Sequence, residues 1–282
     1  MTEKVWFITG ASRGFGRVWT EAALSRGYRV VATARNVATL NDFNEKYGDR
    51  VLTLPLDVTD DAQVRQAVDT ACQHFGRLDV VLNNAGYALV GAIEEVPVTS
   101  VKAEFDTNFF GPLHVIQAVL PVLRKQQSGH IISVSSVAGL VAGPVSGLYH
   151  SSKWAVEALH ESLSHEVSEF GIRVTLLEPG AYATEFASQT SLDIAQGIDA
   201  YATIRQRVFA HSAEIEFGEP AATADIVLKI VETPCPPLRV FLGTEGLPAV
   251  KAAYTRRLAE WEEWQGVAAA AQGNSVKQSL EL

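Results

Sequence analysis

The chain has 282 residues, 47% apolar and 20% charged, with a formal charge of -9 at pH 7. That composition supplies apolar surface for an ordinary buried core. Its sign excludes the basic face that a polyphosphate partner needs, so no nucleic-acid partner is expected.

Short β-branched runs fall at residues 5–9, 29–33, 51–54, 80–82, 130–134, 173–177 and 239–242. They are continuous rather than alternating, the pattern of strands covered on both faces. Helical spacing covers 16–26, 60–75, 99–125 and 149–170 between them. Such repetition predicts βαβ crossovers and a Rossmann-type α/β fold: one domain over 1–282, with a doubly wound parallel sheet of about seven strands. The order weakens over 183–218, between Pro179-Gly180 and the helix start at Glu219-Pro220. This stretch is expected as a lid of short helices over a cleft. A helix over 249–264 and a frayed Ala/Gln/Ser-rich tail over 266–282 close the chain.

Cys72 and Cys235 stand outside any metal-ligand or CxxC spacing. Both are expected as unpaired, buried small apolar side chains, with no metal site. A strand starts almost at once, leaving no room for a secretory signal, and no apolar run approaches the length of a membrane span. A cytoplasmic protein without a membrane partner is the expectation.

The first strand runs into Thr9-Gly10-Ala11-Ser12-Arg13-Gly14-Phe15-Gly16 and then a helix. A strand-to-helix turn of this kind gathers backbone N–H groups and the positive end of a helix dipole. Glycines there let a pyrophosphate approach without a Cβ in the way. Alone, the triplet is also an ordinary tight turn; its place in the first βαβ unit favours a dinucleotide. The second strand ends in Ala34-Arg35, where an acid would mark NAD by accepting from the adenosine ribose hydroxyls. Arg13 and Arg35 suit a 2′-phosphate, so NADP(H) is favoured and NAD(H) stays open. Each arginine could also be a solvated surface charge.

Tyr149 and Lys153, four apart at a helix start, share one face. A free phenol titrates near about 10 and is a poor base at neutral pH. One positive charge about 4 Å away, at an effective dielectric near 20, is worth roughly 4 kcal/mol. That would bring the phenol down by about three pH units, towards efficient acid–base chemistry. The pair is common by chance, and two further residues give it weight. Ser136 stands thirteen positions earlier, at a strand end where ligands of open α/β sheets bind. It could equally cap a turn. Asn108 lies mid-helix among Phe105, Phe109, Phe110 and Pro112, where an amide needs a partner.

TGASRGFG, Asp57, Asn83-Asn84-Ala85-Gly86, Asn108, Ser136, Tyr149-x-x-x-Lys153 and Pro179-Gly180 stand in the order and spacing of the short-chain dehydrogenase/reductase family. The sequence resembles that family over about residues 3–245. The resemblance implies hydride exchange between a nicotinamide and a carbonyl/alcohol pair, with a tetrad of Asn108, Ser136, Tyr149 and Lys153. In the family the serine orients the substrate oxygen and the tyrosine moves the proton. The lysine also holds the nicotinamide ribose, and the asparagine positions a relaying water. With the turn, cofactor contacts are expected from Gly10, Ser12, Arg13, Gly14, Phe15, Gly16, Arg35, Asp57, Val58, Asn83, Ala85, Gly86, Tyr149, Lys153, Pro179, Gly180 and Thr184. Asp57 would meet the adenine edge, Asn83 would sit over the cofactor, and Thr184 would hold the carboxamide.

TARN, NNAGYALVGAIEE and NFFGPLHVIQAVLP look most like the branch of carbonyl reductases and hydroxysteroid- or retinol-type dehydrogenases. An apolar pocket from 138–148, Tyr182 and the lid, with Leu140, Val141, Val145, Phe186, Phe209 and Phe217, would favour a bulky ketone. Each of these side chains could also be core. Resemblance further implies a homodimer or homotetramer through the helices at 99–125 and 149–170. Trp154 departs from the small residue common after the lysine and is expected to pack outward or at an oligomer contact. Trp261 and Trp264 are expected on that surface or against the protein's own sheet. An epimerase or dehydratase, an NAD-preferring alcohol dehydrogenase and a cofactor-sensing regulator of the same fold remain as alternatives.

Overall fold

Val5, Trp6, Phe7 and Ile8 are all fully buried. Trp6 and Ile8 enter one apolar core and Val5 and Phe7 another, so the strand they form is covered on both faces. The computed structural model describes residues 3–187, 192–212 and 214–273. In chain order they form β1 (Val5–Ile8), α1 (Gly14–Ser25), β2 (Arg29–Ala34), α2 (Asn41–Tyr47), β3 (Val51–Pro55), α3 (Asp61–Phe75), β4 (Val80–Asn83) and β5 (Ala88–Val90). There follow α4 (Val98–Phe105), α5 (Gly111–Gln126), β6 (Gly129–Val134), α6 (Gly147–Val167), β7 (Ile172–Pro179) and β8 (Leu192–Ile194). The chain continues through α7 (Ala202–Ser212), α8 (Ala224–Glu232), β9 (Arg239–Leu242), α9 (Gly246–Glu263) and α10 (Gln265–Gln272).

Seven strands make one parallel sheet in the order β3-β2-β1-β4-β6-β7-β9. These are the seven runs the sequence marked. Trp19, Ala23 and Leu24 of α1 and Val227, Ile230 and Val231 of α8 cover one face. Val64 and Val68 of α3, Val115, Val119 and Leu123 of α5, and Leu163 of α6 cover the other. The result is a Rossmann-type α/β sandwich of three layers.

The helix expected over 99–125 is interrupted. Residues Asp106–Phe110 form a π turn between α4 and α5, which widens the spiral by one residue around Asn108. The lid differs too: beyond a short turn at Glu185–Ala187 it holds β8 and α7, and β8 pairs in parallel with β5. Residues 188–191 and 213 of the expected lid lie outside the described residues. Of the expected tail at 266–282, residues 266–272 belong to the helix α10 and have exposed side chains, and 274–282 lies outside the described residues.

Both cysteines are free, but Cys72 is half-buried and Cys235 exposed, so neither is the fully buried side chain expected. Trp261 and Trp264 are 62% and 60% exposed and do not cover the chain's own sheet. Trp154 points outward, 40% exposed, with the Arg257 guanidinium of α9 stacked 4.9 Å from its ring. Among the described residues no helix is long and apolar enough to cross a membrane.

One buried bond ties α1 to the turn before α8. Trp19 Nε1 donates to Thr223 Oγ1 at 2.8 Å, and that hydroxyl donates to the Pro220 carbonyl at 2.6 Å. Thr223→Val keeps the shape and leaves the indole N–H unpaired, at a cost of about 1–3 kcal/mol. The urea midpoint falls with an unchanged slope; an unmoved midpoint contradicts the assignment.

Candidate active site

The chain builds outward from β1 to β3 and returns to place β4 against the other side of β1. The turns after β1 and β4 therefore diverge, and a crevice opens at the carboxyl ends of the strands. It encloses about 910 Å³. Thr9 Oγ1 accepts from Asn84 N at 3.0 Å and Ala85 N at 3.2 Å. Asn84 Nδ2 donates to the carbonyls of Thr9 at 3.1 Å and Gly10 at 3.0 Å. Gly10 and Gly14 take φ of 67° and 53°, the left-handed region that suits glycine. Gly16 is needed for another reason: a Cβ there would collide with the Gly10 carbonyl and Asn84 Nδ2. Three glycines thus serve two purposes, backbone conformation and close contact. The N–H of Gly14, at the positive end of α1, donates to Glu185 Oε2 of the lid at 3.1 Å.

Gly10, Ser12, Arg13, Gly14, Phe15, Arg35, Asp57, Val58, Ala85, Gly86, Ser136, Tyr149, Lys153, Pro179, Gly180 and Thr184 all line this crevice. Gly16, Asn83 and Asn108 do not. Gly16 supports the turn from behind. Asn83, expected over the cofactor, has its side chain buried, with Nδ2 donating to Ser133 Oγ at 3.1 Å. That hydroxyl also meets His160 Nε2 at 2.5 Å. The next residue, Asn84, is the one that faces the crevice. Asn83 still belongs to the pleat of β4, whereas Asn84 is the first residue free of it. Asp57 Oδ1 accepts from Thr59 N at 3.0 Å and Thr59 Oγ1 at 2.8 Å, which fixes its turn.

Of the expected apolar wall, Tyr182, Phe186 and Phe217 line the crevice. Leu140 and Val145 are instead buried, and Phe209 is 47% exposed on α7. Val141 does not line it either. Leu192 and Asp193 of the expected lid line it as well, and Tyr87, Ala103, Asp106 and Thr107 do so without having been expected. Only the position of Tyr87, next to Gly86, could have signalled it.

Each member of the expected tetrad has an identifiable anchor. Asn108 is buried in the π turn: Oδ1 accepts from Tyr87 N at 3.1 Å, and Nδ2 donates to Tyr87 O at 2.9 Å and Ser152 Oγ at 3.1 Å. Both amide protons are spent on the chain itself, which answers the question of its partner. Ser136 fills the capping role and stands at the site: its Oγ accepts from Ala138 N at 3.1 Å and donates to the Pro179 carbonyl at 3.4 Å. Tyr149 lies in the first turn of α6, its ring 6.0 Å from that of Phe186.

The charge balance departs from the simple expectation. Burial pushes the Tyr149 phenol above its ordinary value; the Ser136 hydroxyl opposes this, and the Glu104 charge adds to it. Burial outweighs the lowering expected from Lys153. Its Nζ lies 5.8 Å from the tyrosine ring centre and donates to the Val134 carbonyl at 2.9 Å. Burial in turn lowers Lys153 to about 8. The point-charge estimate omitted the loss of water around both groups.

The family model for short chain dehydrogenases matches residues 4–195. Oxidoreductase BOA17 of Botryotinia fuckeliana is 42% identical over 268 residues, 93% of this chain and 97% of that protein. A short-chain dehydrogenase from Streptomyces avermitilis has a TM-score of 0.89 at 34% identity, covering 96% of this chain and 98% of that one. Two Burkholderia structures carry a cofactor. The one from Burkholderia phymatum, with NAD, has a TM-score of 0.77 at 26% identity and covers 99% and 98%. The one from Burkholderia cenocepacia, with NADP, has a TM-score of 0.75 at 25% identity and covers 93% and 97%. With two thirds of its length matched by the family model, and a relative covered nearly end to end, the chain belongs to the short-chain dehydrogenase family.

Proposed function

We propose that the protein is an NADP(H)-dependent oxidoreductase that interconverts a ketone or aldehyde and the corresponding alcohol, with Tyr149 as general acid/base and bulky, apolar ketones as the favoured class. One observation carries the reading: Ser136, Tyr149 and Lys153 meet in the crevice whose far wall is the glycine turn. The crevice suits a dinucleotide, because Gly10 and Gly14 bring the turn to its wall and the Gly14 N–H, at the positive end of α1, already holds a carboxylate oxygen of Glu185. Gly10 to Gly16 would hold the pyrophosphate, Asp57 and Val58 the adenine, and Arg13 and Arg35 a 2′-phosphate. Lys153 would hold the nicotinamide ribose, and Pro179, Gly180 and Thr184 the nicotinamide end. A bound nicotinamide supplies or accepts the hydride.

The chain's own residues do the rest. Ser136 Oγ holds the carbonyl oxygen beside Tyr149. In reduction the Tyr149 hydroxyl gives its proton to the oxygen as negative charge develops there; in oxidation the phenolate takes it back. Lys153 favours that phenolate by its charge. Asn108 holds the Tyr87 backbone and Ser152 in place beneath the tetrad. Tyr182, Phe186 and Phe217 give an apolar wall that suits a bulky ketone and excludes water. We read the working form as a cytoplasmic homodimer or homotetramer.

Tyr149→Phe lowers ketone reduction by about 10²–10⁴-fold and leaves NADPH binding, followed by cofactor fluorescence, within about twofold of wild type. Turnover unchanged in this variant contradicts the proton-transfer role. For the cofactor, KM for NADPH lies at least about tenfold below that for NADH. Arg13→Ser with Arg35→Ser removes most of that difference by raising the NADPH value alone, as expected for two lost charge-assisted contacts. Equal KM values in wild type would discount both arginines.

A further inference from the structure

Lys153 is 5% exposed and its ammonium donates to the Val134 carbonyl, a neutral partner. A buried ammonium held only by neutral groups is driven to lose its proton. Two buried carboxylates act on it by charge, Glu104 of α4 and Glu157 one turn further along α6. Glu157 is already committed, since Arg239 Nε lies 2.8 Å from its Oε2. Glu104 is not. It is 0% exposed, Oε1 accepts from Leu89 N at 2.9 Å, and Oε2 has no hydrogen-bond partner among the described residues. An orphaned carboxylate oxygen in a core is destabilising, and an apolar side chain would fill the same space without that cost. The charge itself therefore needs a use.

Placement supplies one. Glu104 stands one turn before Asn108, on the stretch that continues into the π turn. Asn108 Oδ1 and Lys153 Nζ flank the same spot: a Cβ on Gly86 would lie 3.1 Å from the first and 3.8 Å from the second. The charges that act on Glu104 are Lys153 and Asp193 of β8, and Glu104 in turn acts on Tyr149 of α6 and on Tyr87 before β5. Asp193 is a like charge, so Lys153 is the cation acting on Glu104.

We propose that Glu104 is the counter-charge of Lys153, a positioning residue that keeps the lysine an ammonium beside Tyr149 and so sets the upper pH limit of the site. This rests on the roles given above to Tyr149 and Lys153. Burial pushes Glu104 up to about 7, and Lys153 pulls it back down, the reciprocal of its own effect on the lysine. The sign is the same for both partners of the reaction. Removing the negative charge lets Lys153 lose its proton at lower pH and lets the Tyr149 phenol ionise at lower pH.

The test measures NADPH binding by fluorescence and ketone reduction, each across pH, for the full chain, Glu104→Gln and Glu104→Asp. In Glu104→Gln the alkaline limb of both quantities moves down by about one pH unit. In Glu104→Asp, whose carboxylate is drawn back by one methylene, the displacement is smaller and in the same direction. Coincident limbs in wild type and Glu104→Gln overturn the proposal. If the amide variant does not fold, the aspartate variant decides, and a limb at or above the wild-type position overturns it. Retained turnover in Tyr149→Phe would instead remove the reading beneath the proposal, so the two failures are distinguishable.

Discussion

The knot of hydrogen bonds joining Thr9, Gly10, Asn84 and Ala85 is the constraint on which the rest of the site depends. At the point where the strand order reverses, two turns leave the sheet in different directions and expose backbone groups that neither sheet nor helix can satisfy. One threonine hydroxyl and one asparagine amide satisfy four of these at once. The knot also draws the backbone so close that Gly16 can carry no side chain. The glycine turn held in this way forms one wall of the crevice, with the Gly14 N–H at the start of α1 directed to a carboxylate oxygen.

The opposite wall is built differently. The lid is tethered by strand pairing of β5 with β8 and by the acidic pair Glu94-Glu95. Glu95 accepts from Ala92 N at 2.8 Å and Ile198 N at 2.9 Å and pairs with Arg205, while Tyr201 Oη donates to Glu94 Oε2 at 2.6 Å. At its start the lid reaches the glycine turn through Glu185 and Gly14. Between these walls Tyr149 and Lys153 lose water, which moves each towards its neutral form. The negative charge of Glu104 opposes this at Lys153 and adds to it at Tyr149.

Much of this was legible in the sequence for one reason: strands buried on both faces leave unbroken apolar runs, and all seven were visible. The glycine turn, Ser136, Tyr149 and Lys153 were legible because the fold puts strand ends at one edge of the sheet. Other features depend on contacts that no local pattern encodes. Whether Asn83 or Asn84 faces the crevice depends on where the pleat of β4 stops. The π turn at Asn108 reads as an uninterrupted helix because its apolar spacing hardly changes. Leu140, Val145 and Phe209 are apolar side chains near the site in sequence, yet whether they face the crevice is decided by how 137–148 and α7 fold back. No local pattern sets Glu104 apart; its burial beside β5, with Oε1 accepting from Leu89 N, does.

Hydride transfer between a nicotinamide and a carbonyl carbon is the central claim, and isotope transfer tests it most directly. The protein is incubated with NADPH carrying two deuterium atoms at nicotinamide C4 and an apolar aryl ketone, and the products are examined by mass spectrometry. One deuterium on the carbinol carbon of the alcohol, with one left on the oxidised nicotinamide, is the predicted result. Cofactor that binds and keeps both labels while the ketone is recovered unchanged, across a panel of apolar ketones, would contradict it.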